Sequence, residues 1–156
     1  MASTNKQPQL MKFSGFLEIR KPKAEVAAHF ADPESYQHYQ DGFVSKTLNS
    51  GTYGQEGAIS TIYFKQGKRD MVLTETVQAN NLPDSFDAFY HHKHMDNTMK
   101  VRFVEIDANT TRYEYEFEYL RINWLLPKLI AILFPGMYRK QGEKWMKQFK
   151  SYVEST

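Results

Sequence analysis

Three histidines stand close together near the middle of the chain, in the run His91-His92-Lys93-His94. Residues two apart on a β-strand share a face, so His92 and His94 could present two imidazoles to one ligand. Zinc requires at least three protein ligands, and Glu75 would have to supply the third. Because the chain contains no cysteine, thiolate ligands and thiolate nucleophiles are excluded. We expect no metal and no other cofactor.

His92 and Glu75 can also be interpreted as a general acid and a general base. On an enolisable ligand one of them would remove a proton, while a tyrosine hydroxyl would stabilise the negative charge that develops. The same side chains can instead orient a bound molecule or form structural hydrogen bonds, which involves no chemistry. Both interpretations stay open, because no motif in the sequence identifies the chain as an enzyme.

These candidates lie on predicted β-strands, and the segment Thr111–Tyr119 shows the clearest alternation. Odd-numbered aromatic residues alternate there with even-numbered charged residues, which predicts one aromatic and one ionic face. A three-residue loop before this strand would place Lys100 opposite Glu118. The same loop would place Arg102 opposite Glu116, and both pairs would lie on the solvated outer surface.

Alternation on the neighbouring strands brings polar and apolar side chains to one inner face. A dry core would leave the tyrosine hydroxyls, imidazoles and carboxylate of that face without partners, whereas a wet cavity supplies water or a ligand. We therefore predict a ligand cavity, and the alternative is a core in which the aromatic rings interdigitate and the polar tips pair. The predicted lining residues are Met71, Leu73, Glu75, Phe86, Tyr90, His92, His94, Met99, Val101, Phe103, Tyr113, Tyr115 and Phe117 from the sheet, with Leu129, Leu133 and Met137 from the C-terminal helix.

The sheet is expected to begin with a strand over residues 10–20, which Pro22 ends. Helical spacing of apolar residues then predicts a helix over residues 23–31. Asp32 and Pro33 separate it from a second short helix over residues 35–40, because an aspartate followed by proline is a typical helix start.

From residue 43 to residue 120 short β segments alternate with turn residues, which predicts an antiparallel meander. One of the predicted turns is Met95-Asp96-Asn97. Apolar residues then recur at three- and four-residue steps from Leu126 to Tyr152, which predicts a long amphipathic helix. Pro135-Gly136 interrupts the pattern and predicts either a kink or two consecutive helices.

Three segments of the chain are similar to those of a known superfamily, namely FLEIRKPKAEVAAHFADPESYQHY, VLTETVQANNLP and MYRKQGEKWMKQFKSYVE. With this element order, residues 10–154 resemble the START-like, or SRPBCC, superfamily, and within it the polyketide cyclase/dehydrase and lipid-transport group. The resemblance implies an α+β helix-grip fold, in which a curved antiparallel sheet of about seven strands wraps around a long C-terminal helix. It also implies a deep cavity between sheet and helix, which relatives use for sterols, phospholipids, polyketides or aromatic hormones.

Length and charge are consistent with one domain and a small-molecule partner. The 156 residues, 41% of them apolar, are sufficient for a single core, and we expect one domain over residues 10–154 after a polar, disordered tail over residues 1–9. The 20 basic and 18 acidic residues nearly cancel, so nucleic acid is not an expected partner.

The tail lacks a secretory signal, and the apolar run over residues 122–134 is too short to cross a bilayer, so we expect a cytoplasmic protein. The C-terminal helix carries a basic outer surface, which would allow peripheral contact with an anionic membrane. A monomer and a homodimer both stay open.

The sequence favours binding of a small hydrophobic or aromatic molecule, such as a lipid, a sterol or a polyketide-like compound, between the sheet and the C-terminal helix. Burial of apolar surface would supply the affinity, while Glu75, His92 and tyrosine hydroxyls would orient the molecule. One alternative is a cyclase or dehydratase-type enzyme that uses these groups. Another is a protein-interaction or co-chaperone module.

Overall fold

A computed structural model describes residues 11–123 and 135–156, with only the backbone described for residues 135–138. These residues form seven strands, three α-helices and one 3-10 turn over Pro33–Ser35. The elements are β1 Met11–Ile19, α1 Lys23–Ala31, α2 Tyr36–Tyr39, β2 Phe43–Ser50, β3 Ile59–Gln66, β4 Arg69–Asn81, β5 Ser85–His92, β6 Met95–Asp107, β7 Thr110–Ile122 and α3 Pro135–Ser155.

The seven strands form one antiparallel sheet in the order β1-β7-β6-β5-β4-β3-β2. We call the face that packs against α1 and α3 the inner face, and the opposite one the outer face. Inward residues of β1, β4, β5, β6 and β7 belong to a buried cluster that also includes residues of α1, α2 and α3, and Phe64 of β3 stacks on Trp145 of α3. The predicted α+β architecture is confirmed, including seven strands, two short helices after β1 and a C-terminal helix packed on the sheet.

Helix α3 contacts two strands that lie far apart in the sheet. A Cβ atom built on Gly142 would lie 2.9 Å from the Phe13 ring of β1, while the Trp145 ring stacks on Phe64 of β3 with centroids 6.0 Å apart. Five inter-strand steps separate β1 from β3, which is about 24 Å in a flat sheet. One helical turn can contact both strands only because the sheet curves around the helix.

At one end of the inner face the aromatic side chains form a closely packed core. Tyr113 is 1% exposed, and its ring lies 5.1 Å from that of Phe103 and 5.4 Å from that of Phe149 on α3. Phe30 of α1 completes the packing, with ring centroids 5.4 Å from Phe86 and 5.5 Å from Phe103. Edge-to-face and stacked aromatic contacts of this kind stabilise the fold beyond the area that they bury.

The turn between β5 and β6 differs from the prediction. It consists of Lys93 and His94, and Met95 is already the first residue of β6. Asp96 is held within the strand by Arg121 of β7, whose Nε lies 2.7 Å from Oδ2 and whose Nη2 donates to Oδ1 at 3.0 Å. This bidentate contact stabilises a polar residue inside a strand, where local sequence indicated a turn.

The outer pairs of β6 and β7 also differ from the prediction. Lys100 faces Glu116 and Arg102 faces Glu114, each two residues away from the expected partner. The connection has only two residues outside the strands, and the ladder contains an irregularity between Glu105 and Asp107. The prediction was therefore correct that the even-numbered charged residues of β6 and β7 share the outer face, and wrong about which of them are opposite each other.

Several predicted features lie outside the described residues. These are the tail over residues 1–9, any helix over residues 126–134 and the contacts of Leu129, Leu133 and the Met137 side chain. Helix α3 begins at Pro135, so a kink or break at Pro135-Gly136 is not described either.

Gly15 of β1 permits a close approach of the Tyr115 side chain. A Cβ atom on Gly15 would lie 2.5 Å from the Tyr115 hydroxyl oxygen, and Tyr115 is only 7% exposed. We expect Gly15→Ala to lower the free energy of unfolding by about 1–3 kcal/mol, because overpacking a filled site forces neighbours to move. Urea denaturation would measure the loss. Ser14→Ala on the exposed face of β1 is the control, and equal stability of the two variants would contradict this packing.

Candidate functional site

A lysine and a glutamate form an ion pair on the inner face of the sheet. Lys46 Nζ lies 2.7 Å from Glu75 Oε1, and each side chain is only 6% exposed. The hydroxyl of Tyr90 donates a hydrogen bond of 2.9 Å to Glu75 Oε2. Two charges removed from water require partners of this quality, because the desolvation of each ion is expensive. We call Lys46, Glu75 and Tyr90 the inner polar cluster.

Three neighbouring strands bring this cluster together. Glu75 on β4 pairs directly with Tyr90 on β5, and Lys46 lies on β2 opposite Ile62 of β3. Directly paired residues on one sheet face have Cβ atoms about 5 Å apart, so a tyrosine hydroxyl can reach the carboxylate of its neighbour. The arrangement therefore depends on strand register and not on a local sequence motif.

Two further tyrosines surround the ammonium group of Lys46. Lys46 Nζ lies 5.3 Å from the ring centroid of Tyr36 and 5.2 Å from that of Tyr53. A cation within about 6 Å of an aromatic face is attracted by the ring quadrupole. Tyr36 comes from α2, and Tyr53 comes from the loop between β2 and β3.

The loop that carries Tyr53 is held by hydrogen bonds and by its glycines. Asn80 Nδ2 donates to the Gly54 carbonyl at 2.5 Å, and the Gly57 amide donates to the Val77 carbonyl at 2.8 Å. Gly51, Gly54 and Gly57 all have positive φ angles, which glycine adopts without steric penalty. Glycine at these positions lets the loop fold back beside β4.

The hydroxyls of Tyr36 and Tyr90 remain protonated at neutral pH, because the pKa of each is raised. Burial raises the pKa of Tyr90 well above its usual value, and the nearby Glu75 raises it further. Burial also raises the pKa of Tyr36, with smaller contributions from Tyr39, Tyr53 and Glu75. Each hydroxyl therefore keeps the proton with which it can donate a hydrogen bond, as Tyr90 does to Glu75.

The other sheet residues predicted to line the cavity fall into two groups. Phe86, Val101, Phe103 and Tyr113 pack against α1, α3 or each other, so they form core and not an open wall. Met99 and Tyr115 belong to the same buried cluster, and Phe117 packs against it. The second group comprises Met71 and Leu73, which are half-buried on β4.

His92 and Glu75 are not brought into contact. They lie diagonally on the inner face of β5 and β4, while both Glu75 oxygens have other partners. His92 Nδ1 instead accepts a hydrogen bond of 3.2 Å from the backbone N–H of His94. His94 lies in the turn and not on the strand face, with its ring centroid 5.5 Å from that of His92. Among residues 11–123 and 139–156, no group of three or more potential metal ligands is brought together.

Lys46, Tyr36 and Tyr53 are the site residues that the sequence analysis missed. Phe43 and Lys46 both face inward although their numbers differ in parity, because a β-bulge shifts the β2 register between Phe43 and Ser45. A strict alternation of inward and outward side chains along β2 therefore assigns Lys46 to the wrong face of the sheet. Only the three glycines after β2 indicated that the following loop would adopt a special conformation.

The outer side of α3 is basic, as the sequence predicted. Five basic and two acidic residues give this helix a formal charge of +3. A groove of about 690 Å³ runs beside α2 and is lined by residues that include His38, Lys140, Lys144 and Lys147. Lys144 is paired with Asp41 at 2.8 Å. The sheet residues predicted to line the ligand cavity do not line this groove.

No protein-family model matches the chain, and no curated protein matches it in sequence. Solved structures do match it in three dimensions. The Zhui aromatase/cyclase from Streptomyces sp. R1128 superposes with a TM-score of 0.75 at 9% identity, over 92% of this chain and 93% of that one. A START superfamily protein from Mycobacterium smegmatis superposes with a TM-score of 0.74 at 11% identity, over 92% and 97%.

The chain has the helix-grip fold of START-like proteins. Ara h 8.0201 shares this helix-grip fold, with a TM-score of 0.72 at 13% identity over 94% of this chain and 99% of that one. At such identities the likeness extends to the fold, which places a C-terminal helix against one face of a seven-stranded sheet. Within the described part of this helix-grip chain, no helix is long and apolar enough to cross a membrane.

We expect Lys46→Met to lower the free energy of unfolding by about 3–5 kcal/mol, because it leaves the buried Glu75 carboxylate without a counter-ion. Replacing both partners, as Lys46→Met with Glu75→Leu, should cost less than the single change. Urea denaturation at neutral pH would measure both. Lys12→Met is the control, because the Lys12–Glu116 pair is exposed at 44% and 29% and should contribute at most about 1 kcal/mol.

Burial lowers the pKa of His92 below 6.5, and the nearby charges of His94, Lys93, His91 and Arg121 lower it further. The unfolded chain therefore binds a proton at a higher pH than folded His92 does, so stability decreases as the pH falls below about 6.5. We expect His92→Asn to reduce the loss of stability between about pH 7 and pH 5. Urea midpoints at both pH values would measure it, and an unchanged pH dependence would contradict the expectation.

Proposed function

We propose that this protein binds a small hydrophobic or aromatic molecule, of the lipid, sterol or polyketide-like class, between the inner face of the sheet and α3. The observation that carries the proposal is the inner polar cluster: an ion pair and a tyrosine hydroxyl on the apolar side of a curved sheet. A protein that needed only stability would do as well with apolar residues there, since replacing a buried ion pair by well-packed hydrophobic residues is often neutral or stabilising.

The composition of this region supports a binding role. Ligand sites are mostly apolar and contain a few polar groups at fixed positions. Here the polar groups are Lys46, Glu75 and Tyr90, with Tyr36 and Tyr53 beside the ammonium group. Around them lie apolar residues such as Ile62, Phe64 and Ala88, each at most 5% exposed. Apolar burial would supply affinity, and the cluster would orient a polar end of the ligand.

The fold is consistent with this proposal, since two of the matching structures are named as a START superfamily protein and an aromatase/cyclase. We propose a cytoplasmic setting, where a chain without cysteine needs no oxidising environment. Contact with an anionic membrane through the basic side of α3 is a further part of the proposal, and so is a monomeric or homodimeric state.

A second candidate function is a cyclase or dehydratase-type reaction. It is favoured by the proximity of three groups that can transfer or share protons, namely Glu75, Tyr90 and Lys46. In this function Glu75 would act on the ligand directly, whereas His92 is farther along the sheet and bonded to its own turn. A bound polyketide that loses one water over time, with wild type but not with Glu75→Gln, would favour the enzyme over the binding protein.

The binding proposal predicts that a ligand raises the thermal midpoint of unfolding. Fatty acids, sterols and flat polyketide-like aromatics would be screened by thermal shift, and the purified protein would be examined by native mass spectrometry for a co-purified molecule. A ligand at about one hundred times its Kd stabilises the folded state by about 2.7 kcal/mol. A screen without any shift, together with a mass equal to that of the bare chain, would refute the proposal.

Tyr90→Phe is the matched variant for this screen, because it removes only the hydroxyl that faces Glu75. We expect it to reduce the shift caused by a ligand with a polar end. Tyr63→Phe is the control, since Tyr63 lies on the outer face and is 43% exposed. If neither variant changes the shift of any ligand, binding occurs elsewhere. Binding of a partner protein by an exposed apolar patch on the outer face would then explain the function of this protein better than binding of a small molecule.

A further inference from the structure

Strand β1 forms one edge of the sheet. Among the described strands only β7 pairs with it. In an antiparallel pair, alternate residues direct their backbone N–H and C=O groups away from the neighbouring strand. The free side of β1 therefore presents a row of backbone donors and acceptors along Met11–Ile19, and such a row can pair with another extended chain.

The two edges of the sheet differ in how well they resist such pairing. At the opposite edge, β2 has one register shift between Phe43 and Ser45 and a second between Leu48 and Ser50. Bulges at an edge hinder the addition of a further strand. In contrast, β1 pairs with β7 over all of its nine residues without any shift. Its regular backbone makes β1 the edge that is suited to extension of the sheet.

The side chain of Phe16 adds apolar surface to this edge. At 63% it is the most exposed large apolar residue in the described part of the chain. It lies on the outer face of β1, where the Arg112 guanidinium stacks 4.9 Å from its ring centroid. A long and regular edge strand that exposes apolar surface favours association with another strand.

A crevice of about 440 Å³ lies along the free side of β1. Its lining includes three consecutive residues of β1, namely Gly15, Phe16 and Leu17, together with residues of α3 such as Glu143 and Lys147. Successive side chains of a strand point to opposite faces of the sheet. A space that touches all three residues must therefore follow the edge of the strand, and β7 occupies the other edge.

The sequence of β1, MKFSGFLEI, is complementary to itself in one antiparallel register. When Gly15 lies opposite Gly15 of a second copy, all nine residues pair and Lys12 lies opposite the partner's Glu18. The two-fold axis repeats this ion pair on its other side, and opposite charges at directly paired positions stabilise a sheet. A shift by two residues separates the charges and leaves the strand ends unpaired. Full overlap and charge pairing therefore select the same register.

The apolar residues of β1 also match in this register. On the inner face Phe13 lies opposite the partner's Leu17. On the outer face Phe16 lies opposite the partner's Ser14 and diagonal to the partner's Phe16, which is a separation that aromatic side chains can span. Gly15 at the centre has no side chain, so the two backbones can approach closely there.

Helix α3 is compatible with this arrangement. It runs in the same direction as β1, because it passes the Phe13 ring before it reaches Arg20, whose amide donates a hydrogen bond of 2.8 Å to Glu154. A two-fold axis through the centre of β1 would make the two copies of α3 antiparallel on one side of the joined sheet. Glu143 would then lie toward the part of the partner's helix that carries a lysine at the crevice, the partner's Lys147.

We propose that two copies of this protein associate through β1, antiparallel and centred on Gly15, so that their seven-stranded sheets continue into each other. The inference decides the oligomeric state that the proposed function leaves open, and it requires no bound ligand. An interface built around one strand is small, so we expect a Kd in the micromolar range.

Charge reversal on β1 tests both the surface and the register. Lys12→Glu and Glu18→Lys each place like charges opposite each other on both sides of the two-fold axis. We expect each variant to weaken the homodimer about fivefold to thirtyfold in sedimentation equilibrium. Lys68→Glu is the control, because it makes the same change of charge at an exposed turn between β3 and β4 and should leave the Kd unchanged.

A mixture of the two variants supplies a readout that a local effect would not move. In the mixed dimer, opposite charges face each other again at both positions, so we expect it to regain the affinity of the wild type. Native mass spectrometry with one variant ¹⁵N-labelled would measure the mixed dimer. The contacts of Lys12 with Glu116 and of Glu18 with Arg112 lie within one chain, and mixing does not restore them.

The outcomes separate this inference from ligand binding. A chain that sediments as a monomer at every concentration overturns the dimer and leaves the proposed function standing. A dimer with the same Kd in both variants uses another surface, and weakening without recovery on mixing excludes this register, so each result overturns the inference. Weaker homodimers together with a restored mixed dimer support it. Lys12 and Glu18 are exposed at 44% and 51%, so both variants should fold, and thermal midpoints of dilute samples would verify this.

Discussion

The structure depends on one geometric constraint, which is that a single turn of α3 contacts both β1 and β3. Gly142 approaches the Phe13 ring and Trp145 stacks on Phe64, although five inter-strand steps separate the two strands. The sheet must curve to satisfy both contacts, and the curvature creates an enclosed side. At one end the aromatic rings around Tyr113 fill that side. At the other end charged groups remain in it.

The buried Lys46–Glu75 pair gives this enclosed side its chemical character. Glu75 accepts from Lys46 through one oxygen and from Tyr90 through the other, and two tyrosine rings lie beside the ammonium group. The interior is therefore neutral overall but locally polar at one place. An apolar molecule with a single polar end meets both requirements, because its skeleton replaces water along the apolar surface and its polar end finds fixed donors. In the proposed function the fold would supply the enclosure, and these few residues would discriminate among ligands.

The sequence predicted most of the fold and part of the site. Alternation placed Glu75 and Tyr90 on the inner face because β4 and β5 are regular where those residues pair. It failed for Lys46, since a bulge in β2 shifts the register. It also failed for His94, because a contact between Asp96 and Arg121, 25 residues apart, decides where the turn lies. Period-two patterns describe regular strands, whereas bulges and long-range ion pairs are properties of the folded chain.

The positive charge of α3 makes the distribution of charge over the molecule uneven. The helix carries a formal +3 and the whole chain +2, so the remaining residues sum to −1. The protein is thus an electric dipole with its positive pole on one outer surface. A charged surface would begin to rotate such a dipole once the protein is within about one Debye length, about 8–10 Å, of that surface. An anionic surface would therefore attract α3 more strongly than the rest of the molecule, and the protein would approach such a surface with this helix foremost.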